Sequence, residues 1–95
     1  MKKLDGQIVI ITGGARGIGE GICKIFCNEG ATVALWDVLE DGQKTANDIK
    51  ADGGSIFFQK VDVAIQESVD NAVANIIKNH GKIDVLINNA GVIRD

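Results

Sequence analysis

Residues 12 to 19 read Thr12-Gly13-Gly14-Ala15-Arg16-Gly17-Ile18-Gly19, a T-G-x-x-x-G-x-G pattern. A β-branched run precedes these glycines, and apolar residues at helical spacing follow them. The stretch therefore predicts a sharp turn that joins a buried strand to a helix. Its spacing differs from the G-x-G-x-x-G fingerprint, but such glycines equally permit close approach of the backbone to a diphosphate. A plain glycine-rich loop is the alternative interpretation.

Short apolar runs and helical periodicity alternate along the rest of the chain. Four strands are predicted, at Ile8 to Thr12, Ala31 to Asp37, Ser55 to Asp62 and Ile83 to Asn88. Three helices are predicted between them: one from Ile18 closed by Asn28-Glu29-Gly30, one at Asp41 to Ala51 and one at Gln66 to His80 before Gly81. The order is β-α-β-α-β-α-β.

Strands separated by helix-length connections run parallel, and right-handed crossovers place the first two helices on one face of the sheet. The predicted fold class is therefore α/β: an incomplete, Rossmann-like doubly wound parallel sheet of strand order 3-2-1-4. Residues 1 to 95 are expected to form one partial dinucleotide-binding domain. A crevice between the carboxyl ends of strands one and four is the expected ligand site.

Asp37 ends the second predicted strand, 18 residues after Gly19. A carboxylate there can accept hydrogen bonds from both ribose hydroxyls of NAD, whereas the 2′-phosphate of NADP would meet like charge. Arg16 could stabilise a 2′-phosphate, but a cation beside a phosphate turn also suits NAD. Because Val38 follows in place of a second basic residue, NAD is the predicted cofactor. A solvated acid at a strand end is the alternative interpretation of Asp37.

The composition argues against several classes of protein. A net charge of -3 without a Lys/Arg-rich run argues against a nucleic-acid partner. The apolar runs are too short to span a bilayer, so a soluble, cytoplasmic protein without a membrane partner is expected. Cys23 and Cys27 share a helix face, and we favour buried thiols over a redox or metal pair. No metal site is predicted.

Two further motifs complete the pattern: Asp62-Val63 after strand three and Asn88-Asn89-Ala90-Gly91 after strand four. Together with the turn and Asp37, they resemble the short-chain dehydrogenase/reductase family over the whole chain, and the ending is similar to its ketoacyl-thioester reductases. The resemblance implies a cofactor site made of Gly13, Ala15, Arg16, Gly17, Ile18, Gly19, Asp37, Asp62, Val63, Asn89, Ala90 and Gly91. It also implies that Asn88 fixes strand four against its neighbours.

The family's chemistry depends on residues that this chain lacks. The resemblance implies a Ser that polarises the substrate carbonyl, a Tyr acid or base and a Lys four residues later, but the chain contains no tyrosine. No catalytic residue is assigned, and the 95 residues alone are predicted to be inactive. Ala64 stands where the family usually has Ser or Thr, so a helix N-cap is expected to be missing.

The sequence thus predicts the NAD-binding half of an oxidoreductase that moves a hydride between the cofactor and a small alcohol or ketone. Sugar, polyol and hydroxy-acyl substrates remain open. Two alternatives are a stand-alone, non-catalytic NAD-binding module and a ligand-free folding fragment. An open edge at strand four and a thinly covered sheet face further predict a homo-oligomer.

Overall fold

The computed structural model describes residues 2–89. Its elements are β1 (Ile8–Thr12), α1 (Gly17–Asn28), β2 (Thr32–Asp37), α2 (Asp41–Ala51), β3 (Ser55–Lys60), α3 (Gln66–His80) and β4 (Val85–Ile87). The four strands form one parallel sheet in the order β3-β2-β1-β4. The predicted α/β fold class and strand order are confirmed, as is the incomplete sheet. None of the helices within these residues is long and apolar enough to cross a membrane.

Three strands are shorter than the sequence predicts: β2 by one residue, β3 by two and β4 by three. β3 ends at Lys60, which pairs with Asp37, the last residue of β2. β4 covers only Val85–Ile87, which pair with Val9 to Ile11 of β1. Before this ladder, the Asp84 carboxylate and N–H group bond to the backbone of Ile8.

The sheet lies between two apolar clusters. One cluster joins inward-facing residues of β1, β2 and β3 to Cys23 and Cys27 of α1 and to Ala46 and Ile49 of α2. The other joins the opposite faces of β1 and β2 to α3 through Ile76. The first two helices therefore cover one face and the third covers the other, as right-handed crossovers require.

The buried face of α1 consists of small residues, Gly19, Cys23 and Cys27. Of the larger apolar residues of this helix, Ile22 and Phe26 pack half-buried against the same cluster, whereas Ile18 and Ile25 are 67% and 62% exposed. The backbone before the helix also lies close to the sheet: a Cβ built on Gly14 would lie 2.8 Å from Leu35 Cγ and 3.0 Å from Cys23 Sγ.

Both cysteines are free thiols buried in the core. Burial, with smaller contributions from Cys27 and Glu20, raises the pKa of Cys23 to about 12. Burial also raises the pKa of Cys27, against a hydrogen bond to the Ser55 carbonyl. Among residues 2–89 there is no group of three His, Cys, Asp or Glu side chains that could hold a metal. The interpretation of Cys23 and Cys27 as buried thiols is confirmed.

The raised pKa values predict that neither thiol reacts in the folded protein. At about pH 8 both stay protonated and shielded, so a thiol-reactive disulfide dye should label the native protein very slowly. Both cysteines should react at once in denaturant, which provides the control. Rapid labelling of one thiol under native conditions, measured by absorbance, would contradict this arrangement.

Asp84 fixes the start of the β1–β4 pairing. Its Oδ2 accepts a hydrogen bond from the Ile8 N–H at 2.8 Å, and its own N–H donates to the Ile8 carbonyl at 2.8 Å. Lys82 Nζ lies 3.1 Å from the same Oδ2. The backbone bond and the bond to Lys82 lower the pKa of Asp84. The ionised carboxylate therefore stabilises the fold.

We expect Asp84→Asn to have a lower free energy of unfolding than the wild type at neutral pH. In acid, this difference between the two proteins should become smaller. A lowered pKa in the folded state means that the stabilisation is present above the ordinary aspartate pKa, about 4, and is lost as the pH falls further. Urea unfolding between about pH 2 and 7 measures this. Asp52→Asn, at an exposed position after α2, is the control; equal pH dependence of the two variants would refute the prediction.

Candidate functional site

A cavity of about 400 Å³ opens at the carboxyl ends of β1, β2 and β4. This is the edge where open α/β sheets bind their ligands, and the volume is in the range of small-molecule sites. Its lining residues come from the glycine turn and from the segments that follow β2 and β4: Gly13, Arg16, Gly17, Ile18, Asp37, Leu39 and Asn89.

The glycine turn is folded tightly enough to require glycine at several positions. Gly13 and Gly17 have φ angles of 67° and 61°, in the left-handed region that disfavours other residues. A Cβ on Gly19 would lie 1.9 Å from the Gly13 carbonyl oxygen. The Gly13 and Gly14 N–H groups both donate to the Trp36 carbonyl, at 2.8 and 3.2 Å. The turn therefore presses the start of α1 against the end of β1.

The N-terminus of α1 forms part of the cavity wall. Arg16 is the N-cap residue, and its side chain makes no capping hydrogen bond. The first N–H bonded within the helix is that of Glu20, which donates to the Arg16 carbonyl at 3.3 Å. The N–H groups of the preceding first turn have no intrahelical acceptors, and they carry the positive end of the helix dipole. This arrangement suits an anion.

The Asp37 carboxylate is held by two backbone donors. Oδ2 accepts from the Ala15 N–H at 3.0 Å, and Oδ1 accepts from the Leu39 N–H at 3.0 Å. A carboxylate offers about four acceptor positions, so each oxygen keeps one for a further donor. Asp37 is therefore oriented by the fold, in contrast to a freely solvated acid at a strand end.

Asn89 ties the segment after β4 to the turn, because its Nδ2 donates to the Gly13 carbonyl at 3.1 Å. One residue earlier, Asn88 Oδ1 accepts from Thr12 Oγ1 at 3.2 Å and links β4 to β1. This link agrees with the positioning role that the family resemblance implies for Asn88. Ala90 and Gly91, the other two predicted site residues of this segment, lie outside the described residues.

Asp62 and Val63 follow β3 at the same edge of the sheet, beyond the residues that line the cavity. Asp62 Oδ1 accepts from the Ala64 N–H at 3.0 Å, and the Asp62 N–H donates to Ser68 Oγ at 3.0 Å. The N-cap residue of α3 is Ile65, without a side-chain capping bond. The uncapped N-cap position therefore falls one residue after Ala64, where the sequence predicted it, and bonds of Asp62 and Ser68 order this loop.

The structure separates the predicted site residues by position. Gly13, Arg16, Gly17, Ile18, Asp37 and Asn89 line the cavity. Ala15 and Gly19 belong to the turn but lie behind its surface, with Ala15 only 2% exposed and Gly19 on the buried face of α1.

Two residues of the site were missed by sequence reasoning. Leu39 lines the cavity, and its position two residues after Asp37 is the signal that could have identified it. Thr45 of α2 donates a hydrogen bond from Oγ1 to the Ala15 carbonyl. No local pattern marks that threonine, because it lies in a polar helix 30 residues from its acceptor.

The family of the chain follows from comparison with known proteins. The short chain dehydrogenase family profile matches residues 7–95. The chain is 44% identical over 93 residues to the 3-oxoacyl-(acyl-carrier-protein) reductase FabG of Chlamydia pneumoniae, covering 97% of this chain and 38% of that protein. The chain therefore spans well under half the length of this relative.

Two solved structures share the fold. The citronellol catabolism dehydrogenase AtuB of Pseudomonas aeruginosa PAO1 superposes with a TM-score of 0.87 at 35% identity, covering 99% of this chain and 43% of that one. A metagenomic short-chain oxidoreductase in complex with NADP gives a TM-score of 0.87 at 33% identity, covering 94% and 41%. With a family profile that spans nearly the whole sequence, the chain belongs to the short-chain dehydrogenase family.

Proposed function

We propose that this chain is the cofactor-binding part of an oxidoreductase that transfers a hydride between NAD and a small alcohol or ketone. One observation carries the proposal: the uncapped N-terminus of α1 and the Asp37 carboxylate border the same cavity. The first suits a diphosphate and the second suits a ribose diol.

The residues present fit such a cofactor. The free N–H groups of the first turn of α1 would hold the pyrophosphate. A Cβ built on Gly17 meets nothing within 4 Å, so the space in front of this part of the turn is open. The two unused acceptor positions of Asp37 match in number the two hydroxyls of an adenosine ribose.

Asp37 also supports the choice of NAD over NADP. A 2′-phosphate would bring negative charge next to a carboxylate that two backbone bonds hold in place. Arg16 lines the same cavity and offers a compensating cation. The metagenomic relative was solved with NADP, so the choice between the cofactors depends on the relative effects of Asp37 and Arg16. We propose that Asp37 dominates.

The cofactor itself supplies the hydride donor or acceptor, and the residues of this chain bind and orient it. The chain has no tyrosine to serve as the proton donor. We place the catalytic groups and most of the substrate site outside these 95 residues, which would form a partial dinucleotide-binding domain without activity of their own. The greater length of the relative from Chlamydia pneumoniae supports this division.

Calorimetric titration with NADH and NADPH tests the cofactor proposal. We expect the wild type to bind NADH at least about tenfold more tightly, because like charges next to a 2′-phosphate cost more than the 1.4 kcal/mol that a tenfold change represents. Asp37→Asn should move the affinity ratio toward NADPH. Arg16→Ala is the matched variant, and it should move the ratio toward NADH.

The affinity ratio separates cofactor choice from damage to the scaffold. The Asp37 carboxylate also holds the Ala15 N–H, so its removal will weaken the binding of both cofactors. Damage to the turn should lower the two affinities about equally. An unchanged ratio in Asp37→Asn would refute the role of Asp37 in choosing NAD. Failure of the wild type to bind either cofactor would refute the proposed function.

We further propose that the protein forms a homo-oligomer. Leu86 of β4 is 59% exposed and Ile77 of α3 is 44% exposed. Parallel sheets are usually covered on both faces, so a second copy of the chain could cover this apolar surface. Light scattering after size-exclusion chromatography should show a mass above that of one chain, and Leu86→Lys should lower it. Ile65→Lys, at an exposed position toward the other edge, is the control. A monomeric wild type would contradict this proposal.

A further inference from the structure

Ala15 is held on both sides by side chains from other elements. Its N–H donates to Asp37 Oδ2 at the end of β2, and its carbonyl accepts from Thr45 Oγ1 on α2. Ala15 is 2% exposed and Thr45 is 8% exposed. Because little water reaches either group, loss of the Thr45 hydroxyl would leave the Ala15 carbonyl without a hydrogen bond in a buried place.

The bond from Thr45 orients the Arg16 N–H as well as the Ala15 carbonyl. The Ala15 carbonyl and the Arg16 N–H belong to the same planar peptide and point in opposite directions. By drawing the Ala15 carbonyl toward α2, Thr45 turns the Arg16 N–H away from α2. Arg16 is the extended N-cap residue from which α1 begins, with φ -159° and ψ 174°. The orientation of this peptide therefore controls how the first turn of α1 starts.

The packing of α2 against the sheet positions Thr45 beside the Ala15 carbonyl. Gly42, one turn earlier, lies so close to β3 that a Cβ there would be 2.3 Å from the Phe58 ring. Ala46 and Ile49, which follow Thr45, are 1% and 4% exposed in the same apolar cluster as the sheet. A helix held this closely has little freedom to move its threonine away from the turn.

We propose that Thr45 is a positioning residue for the diphosphate part of the site. Its hydroxyl holds the Ala15–Arg16 peptide so that the N–H groups of the first turn of α1 point at the diphosphate, while Asp37 holds the same alanine from the ribose side. This inference rests on the proposed function. It extends the site to a helix that does not itself line the cavity, and it predicts a loss confined to ligands that carry a diphosphate.

The test compares Thr45→Val, which keeps the shape and removes the hydroxyl, with Thr45→Ser, which keeps the hydroxyl. Thr32→Val is the control, because Thr32 Oγ1 bonds Ser55 Oγ at the opposite end of the strands. Calorimetry with NADH, ADP and adenosine gives the readout on the purified protein. We expect Thr45→Val to weaken the binding of NADH and of ADP about five- to tenfold, as for one lost hydrogen bond. The affinity for adenosine should be unchanged.

Rescue of ADP affinity by Thr45→Ser, with wild-type affinity in Thr32→Val, would complete the supporting result. Equal ADP affinity in the wild type and Thr45→Val would overturn the inference. Equal losses for ADP and adenosine would overturn it too, because they would indicate general damage. If Thr45→Val does not unfold cooperatively, Thr45→Ala replaces it with the same expectations.

Amide hydrogen exchange separates this inference from the proposed function. If the wild type binds none of the three ligands, the proposed function fails, and exchange still reports on the turn itself. The Ala15 N–H should then exchange faster in Thr45→Val than in Thr32→Val, because Ala15 keeps only the bond from its own N–H to Asp37 and loses the bond at its carbonyl. Equal exchange in the two variants would show that Thr45 does not hold the turn.

Discussion

The close approach between Gly13 and Gly19 is the constraint on which the rest of the site depends. A side chain at Gly19 would overlap the Gly13 carbonyl, so the start of α1 can lie against the end of β1 only with glycine there. This contact aims the helix N-terminus at the open edge of the sheet. The buried residues of α1 that follow this contact, Cys23 and Cys27, are small.

A turn this tight is held by side chains that come from three other parts of the fold. Asn89 after β4 holds the Gly13 carbonyl, Asp37 after β2 holds the Ala15 N–H, and Thr45 of α2 holds the Ala15 carbonyl. The glycines permit the conformation but do not select it, since they allow many others. The surrounding hydrogen bonds select one, and the backbone that would bind a diphosphate is thereby ordered before any ligand arrives.

Most of the fold could be predicted from the sequence because the signals are local. Apolar runs between glycine-closed helical segments indicate the element order, and the right-handedness of parallel crossovers restricts the face of the sheet on which each helix lies. The burial of individual side chains was less predictable. Ile22 and Phe26 of α1 pack half-buried against the core, whereas Ile18 and Ile25 of the same helix are exposed. Periodicity reports that a helix has an apolar stripe, whereas the distance to the sheet decides which residues fit beneath it.

The sequence by itself determined the family, the parallel sheet, the glycine turn and the acid at the end of β2. These features depend on residue type and spacing along the chain. Only the tertiary structure decided that the Asp37 carboxylate is fixed by Ala15 and Leu39, and that Thr45 belongs to the support of the site. The bonds from Ala15 to Asp37 and from Thr45 to Ala15 join residues 22 and 30 positions apart, and the second depends on the packing of α2 on β3, which no local pattern encodes.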